Sequence, residues 1–159
     1  TVAAQVNYAL SADGSFAYVT NSPSCAGAVT VGDLYQGRPV AMIANGAFAD
    51  CSNLTSITIP SGVTRIGDMA FSWCTRLQEV VLPASVASIG TGAFMECRDL
   101  RGILLPPAIT SIATRTFSGC SSLDFIALPQ AITRIDTSAF SGCSALSGIA
   151  IPEIGRAHV

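Results

Sequence analysis

The chain has 159 residues, 50% of them apolar and only 11% charged, with a formal net charge of −2. That length suits one domain with a continuous core, and the apolar runs are cut every few residues by Ser, Thr, Gly, Pro or a charge, short of the ~18 residues that a membrane-spanning helix needs. The eight basic residues are all arginine and form no stripe interleaved with aromatics, so neither a membrane span nor a nucleic-acid partner is expected.

From the amino end, Tyr8 to Leu10, the turn Ser11-Ala12-Asp13-Gly14 and residues 16–20 read as a hairpin, suited to cover the open edge of whatever follows. Val29-Thr30-Val31 reads as a short strand. After the insertion Tyr35-Gln36-Gly37-Arg38, the stretch up to Ile43 leads into a regular array. We divide the chain into an amino-terminal cap with a degenerate first coil (1–42), five repeats (43–152) and a tail (153–159).

The array is set by Phe48, Phe71, Phe94, Phe117 and Phe140, a step of 23 residues that Cys51, Cys74, Cys97, Cys120 and Cys143 follow without insertion. Leu54, Leu77, Leu100, Leu123 and Leu146 keep the same step, as do Pro60, Pro83, Pro106, Pro129 and Pro152. A period of this size is the signature of a solenoid, in which each coil supplies apolar residues to its own interior and to both neighbours. The low charge content agrees with that economy of surface.

Within a unit, Ile57 and Ile59 alternate with Ser56 and Thr58, and the counterparts in later coils are Val80 and Leu82, Ile103 and Leu105, Ile126 and Leu128, Ile149 and Ile151. Period two over a β-branched run predicts a short strand with one buried face, and the proline after it, lacking an N–H, ends the pairing. Three residues before each Phe stand Asn45, Asp68, Thr91, Thr114 and Thr137, types whose side-chain oxygen accepts from free N–H groups at a helix start. They predict five N-caps, each opening a short helical turn whose Phe and Cys, three apart, face inward. Such helical segments would pack ~10 Å apart, too far for neighbouring cysteines to bridge. The favoured reading of the Cys column is therefore five buried free thiols filling space under the helices. A disulfide framework and a thiolate metal site are the alternatives, and neither suits one Cys per coil without a nearby His. Cys25 lies outside the register.

If the buried strand residues are fixed by alternation, their neighbours form outward columns. One is Ser56, Glu79, Gly102, Phe125 and Gly148; the other is Thr58, Val81, Leu104, Ala127 and Ala150, apolar over four coils. The second is a candidate docking stripe, with Phe125 as its best anchor because aromatic residues dominate binding hot spots. The candidate partner-binding residues are Phe125, Leu104, Val81, Glu79 and Arg101. The competing explanation is that small apolar residues here serve β-propensity alone, or meet neighbouring domains. Trp73 is expected on the opposite, convex side in a packing role. Thr116 replaces the alanine that precedes Phe in the other coils and is expected to loosen its own slightly.

No catalytic site and no cofactor or metal site is expected. No Cys has a second base beside it and there is no Gly-rich phosphate loop, so neither a Cys-His nor a Ser-His-Asp arrangement can be built. Glu79, Glu96, Asp99 and Asp124 fall at surface positions of the repeat. The single His, His158, lies in the tail Glu153-Ile154-Gly155-Arg156-Ala157-His158-Val159, which breaks the repeat and resembles the translation of a short-read sequencing adapter. We set that tail aside. The chain also begins without Met or a signal peptide and its fifth coil stops after Pro152, both of which read as the ends of a fragment.

The strings Ala47-Phe48-Ala49-Asp50-Cys51-Ser52-Asn53-Leu54-Thr55-Ser56-Ile57-Thr58-Ile59-Pro60 and Ala139-Phe140-Ser141-Gly142-Cys143-Ser144-Ala145-Leu146 resemble the BspA-type, or Treponema-type, leucine-rich repeat. The likeness covers residues 29–152, and the lead-in Gly37-Arg38-Pro39-Val40 is similar to that family's. What the resemblance implies is an α/β leucine-rich-repeat solenoid, right-handed and curved, with short strands on the concave side and no shared catalytic residue or cofactor. It further implies a bacterial or protist cell-surface or secreted protein that adheres through its concave face to a protein or glycan, such as host matrix or another cell's surface. The alternatives are a structural spacer arm that displays another domain, and a cytoplasmic scaffold, which unpaired thiols would tolerate well.

Overall fold

The computed structural model describes residues 5–152. Thirteen short strands follow in order: β1 (Tyr8–Leu10), β2 (Ala17–Val19), β3 (Gly27–Thr30), β4 (Leu34–Tyr35), β5 (Arg38–Ile43), β6 (Leu54–Thr58), β7 (Arg65–Ile66), β8 (Glu79–Val81), β9 (Ser88–Ile89), β10 (Gly102–Leu104), β11 (Ser111–Ile112), β12 (Phe125–Ala127) and β13 (Arg134–Ile135). They wind into a β-solenoid with coils at 44–66, 67–89, 90–112 and 113–135, numbered 1 to 4, and a fifth from residue 136.

The amino-terminal cap folds as its sequence predicts. Strands β1 and β2 pair antiparallel, with Tyr8 opposite Val19, and β2 then pairs parallel with β5, so the hairpin closes one end of the stack. The insertion makes a second hairpin: Tyr35 faces Arg38 across the loop Gln36-Gly37, whose φ angles of 49° and 74° are those of a two-residue type I′ turn. Strand β3 pairs with β6, placing Val29 opposite Ile57, which makes it the strand of a degenerate first coil.

Each full coil has three sides. One carries the strand that follows the conserved-step Leu, stacked in parallel as β3-β6-β8 and as β10-β12. Past the proline, a two-residue strand ending on Ile66, Ile89, Ile112 or Ile135 forms the second side, stacked as β5-β7-β9 and as β11-β13.

The third side, around Phe and Cys, corrects the predicted helical turns, because no helix occurs among the described residues. The segment is about two turns long at most, too short to repay helix nucleation by itself. Its N–H groups alternate instead. In coil 1, Ala47, Ala49 and Cys51 donate back three residues to Ala44, Gly46 and Phe48, while Gly46, Phe48 and Asp50 donate to Asp68, Ala70 and Ser72 of the next coil. The alternation requires left-handed backbone two residues before and two after each Phe, at Met69, Arg115 and Ser138 and at Asp50, Trp73 and Glu96, among others.

With no helix to separate them, coils approach as closely here as in a sheet. The Phe48 and Phe71 rings stack with centroids 5.2 Å apart and planes 7° from parallel, and the column continues to Phe140. The ~10 Å spacing expected between coils on this side is therefore absent. The first four phenylalanines are fully buried and, with the Leu column and Ile57, Ile103 and Ile126, form one continuous core.

The polar groups on the turn side act between coils. Asn45 Oδ1 accepts from the N–H of Asp68 at 2.8 Å, and Asp68 Oδ1 from that of Thr91 at 2.9 Å, so these two residues cap the following coil and not their own. No such bond is made by the side chains of Thr91 and Thr114, so the N-cap expectation fails there. The thiols are unpaired and lie inward, but they are more than fillers: Cys74, Cys97, Cys120 and Cys143 donate to the carbonyls of Phe48, Phe71, Phe94 and Phe117 at 3.0 to 3.1 Å. Buried Thr116 is satisfied, its Oγ1 donating to the Ala113 carbonyl at 2.8 Å.

Candidate functional site

The stacking has one interruption. Between coils 1 and 2, β6 pairs with β8 and β7 with β9; between coils 3 and 4, β10 pairs with β12 and β11 with β13. Between coils 2 and 3, no ladder joins β8 to β10 or β9 to β11. There the turn side holds the stack: Met69, Phe71 and Trp73 donate to the carbonyls of Thr91, Ala93 and Met95, each at 2.8 Å. The junction is hydrogen-bonded along the phenylalanine column and lacks a ladder along the strands, although β8 and β10 still lie side by side.

A recess of about 250 Å³ lies at this opening on the β8/β10 side. Glu79 and Val81 come from one bank and Gly102 and Leu104 from the other, with Phe125 of the next coil at the far end. Strand pairing fixes each half of the two outward columns, since Ser56 faces Glu79 and Thr58 faces Val81 on one side of the junction, and Gly102 faces Phe125 and Leu104 faces Ala127 on the other. Behind them Val80 and Ile103 are buried, so the core anchors the strands from which the outward side chains project.

Four of the five candidate residues meet here. Leu104 is 67% exposed, Phe125 55% and Val81 46%, values that for large apolar side chains mark an unpartnered stripe. Glu79 is exposed beside them. The ion pairs among the described residues join Arg98 to Glu96 and Arg134 to Asp136, so the Glu79 carboxylate is engaged in neither. Arg101 does not line the recess: it precedes β10 at the rim, where its carbonyl accepts from the N–H groups of Asp124 and Phe125. Gly102, which the sequence placed in the outward column but not among the candidate residues, also lines the recess. It forms the floor, and a β-carbon there would rest 3.5 Å from Phe125 Cδ1, in ordinary contact. A glycine inside a strand was the available signal, because it marks places where another group approaches the backbone closely.

The thiols are shifted in both directions: the hydrogen bond with Cys74 holds Cys51 below the ordinary thiol value. Burial pushes the Cys97, Cys120 and Cys143 thiols up, and Cys25 up to about 11, which keeps them in the unreactive protonated form. Among the described residues no group of three His, Cys, Asp or Glu side chains could hold a metal ion. His158 and the rest of the tail lie outside the described residues. Trp73 sits on the turn side, 40% exposed, with the Arg98 guanidinium 5.3 Å from its ring centroid. No helix among the described residues is long and apolar enough to cross a membrane.

Comparison with known proteins places this geometry. The BspA type leucine rich repeat region, in six copies, matches residues 41–156. A leucine-rich repeat protein of Treponema pallidum, solved by crystallography, is 34% identical over 92% of this chain and 68% of its own, with a TM-score of 0.85. A leucine rich cell surface protein from Faecalibacterium prausnitzii is 29% identical over 94% of this chain and 53% of its own, TM-score 0.62. A leucine-rich repeat protein from Bacteroides ovatus is 26% identical over 92% and 45%, TM-score 0.63. The chain thus spans about two thirds of the first and about half of the other two. No curated protein matches it. Repeats of this class are non-enzymatic interaction scaffolds, and the chain, by its repeat pattern and its fold, belongs to the BspA-type leucine-rich repeat family.

Proposed function

We propose that this chain is the protein-binding part of a secreted or cell-surface protein, and that a partner docks on the strand face over Val81, Leu104 and Phe125, with Glu79 and Arg101 at the border. The observation that carries the reading is the coincidence of three exposed large apolar side chains on successive strands with the recess where coils 2 and 3 share no strand ladder. An apolar centre with charged residues at its rim is the usual anatomy of a binding patch. The surface location rests on the family and on the likeness to the leucine rich cell surface protein from Faecalibacterium prausnitzii. A protein partner suits the face better than a glycan, because its centre is apolar and offers few hydrogen-bonding groups.

The test compares the chain with a Leu104→Ser/Phe125→Ser variant against a surface-displayed protein library, followed by affinity measurement on enriched binders. Both side chains are exposed, so the variant is expected to stay folded. Loss of two hot-spot side chains should weaken binding by at least ~30-fold. Undiminished affinity of the variant for every enriched binder would place the interaction elsewhere on the chain, and a library that yields no binder at all would leave the chain as a spacer arm.

A further inference from the structure

We infer that the recess over Gly102 is a pocket for an arginine side chain of the partner protein, a refinement that rests on the strand-face reading above. The column Ser56, Glu79, Gly102, Phe125 lacks one side chain, at its third member, just where the ladder between β8 and β10 is absent. The gap is bounded along the column by a carboxylate from coil 2 on one side and an aromatic ring from coil 4 on the other. Val81 and Leu104 flank it with aliphatic surface.

Those walls select one chemistry. A guanidinium is planar, stacks on an aromatic face and bonds a carboxylate with two parallel N–H groups, and it sheds water more readily than an ammonium. Its three methylenes would lie against Val81 and Leu104, as long charged side chains do along apolar surface. Glu79 is free to serve, being in neither ion pair, and Phe125 already leans over the floor, its Cδ1 within 3.5 Å of the place a Gly102 β-carbon would take. Neutral apolar side chains would fill the recess but bring Glu79 no partner. An acidic one would be repelled by it.

The experiment titrates the isotopically labelled full chain with N-acetyl-Val-Arg-Val-amide and follows backbone amide shifts by NMR. The same peptide with citrulline, which keeps the shape and loses the charge, and the same peptide with lysine are the controls. Shifts centred on Glu79, Gly102, Leu104 and Phe125 are expected, with the arginine peptide bound ~10-fold or more tighter than the citrulline one, as one charge-assisted pair provides. Glu79→Gln should erase that preference. Gly102→Val fills the floor with a good strand former and is expected to fold, its spectrum showing this directly, while abolishing the response. Equal binding of arginine and citrulline peptides, an unaltered response in folded Gly102→Val, or lysine binding as tightly as arginine would overturn the assignment. A library binder that Leu104→Ser/Phe125→Ser loses but that Glu79→Gln and Gly102→Val both retain at full affinity would overturn it too, while leaving the strand-face reading intact.

Discussion

At the junction of coils 2 and 3 the turn side keeps three N–H to carbonyl bonds of 2.8 Å, whereas neither strand side keeps a ladder; at the junctions on either side of it all three are bonded. The same 23-residue unit therefore holds its neighbours by different means along the chain. In a quasi-one-dimensional stack, stability is a sum of coil terms and nearest-neighbour terms, so a junction stripped of two ladders is the weak link unless its third side compensates. On that side the rings of Phe71 and Phe94 stack at 5.2 Å and 2° from parallel, as tightly as anywhere in the column. The turn side supplies cohesion, which leaves the strand side at liberty to open and present a recess.

The strongest way to break this arrangement is Phe94→Ala. The side chain is fully buried and stacks on both neighbours, so its loss should cost ~3–5 kcal/mol. Because it removes the main support of the junction without strand ladders, urea unfolding should also split into two transitions, the amino-terminal coils separating from the rest. A single transition displaced by less than ~1 kcal/mol would show that the open junction does not depend on the turn side.

A gentler comparison uses the two side-chain caps. Asn45 bridges coils 1 and 2, where three sides are bonded, and Asp68 bridges coils 2 and 3, where one is. Removing a cap costs ~1 kcal/mol on average. Asp68→Ala should exceed that average and Asn45→Ala should fall below it, because a lost bond matters more where fewer others fix the geometry. Denaturant midpoints of the two variants in the reverse order would contradict the view that the second junction is the weaker.

The strand side was readable from the sequence because a fixed 23-residue step combined with alternation leaves one register: once Ile57, Val80 and Ile103 point inward, Glu79, Gly102 and Phe125 must align outward. The turn side was misread because an Asn, Asp or Thr three residues before a buried Phe is a helix-start pattern within one coil, while the bonds that decide the structure run between coils. Their trace was present. An Asn or Asp at that position is followed 22 residues later by glycine, as in Asn45 with Gly67 and Asp68 with Gly90, but Thr91 is followed by Ala113 and Thr114 by Asp136. A β-carbon on Gly90 would sit 2.3 Å from Asp68 Oδ1, so the side chain can reach the next coil only past a glycine. The open junction had no comparable sign apart from Gly102, since Val80 and Ile103 carry the same pattern as the strands that do pair.

The smallest expected effect probes what the turn side costs. Arg115 stands two residues before Phe117 with φ at 56°, a left-handed backbone that an L side chain adopts at a penalty of ~1–2 kcal/mol. Gly46 and Gly92 occupy the same position in other coils with φ of 63° and 60°, so the site accepts glycine without rearrangement. Glycine also loses more chain entropy on folding, by ~0.5–1 kcal/mol, which offsets part of the relief. Arg115→Gly should therefore raise stability by about 0.5–1 kcal/mol, a shift of a few degrees at most in the thermal midpoint. Arg115 lies on the exposed turn side, away from the recess, so peptide binding there should not change. A destabilised Arg115→Gly would mean that the side chain, and not the backbone it strains, governs this position. Strain spread along the turn side could then no longer count as the cost at which that side holds the coils together.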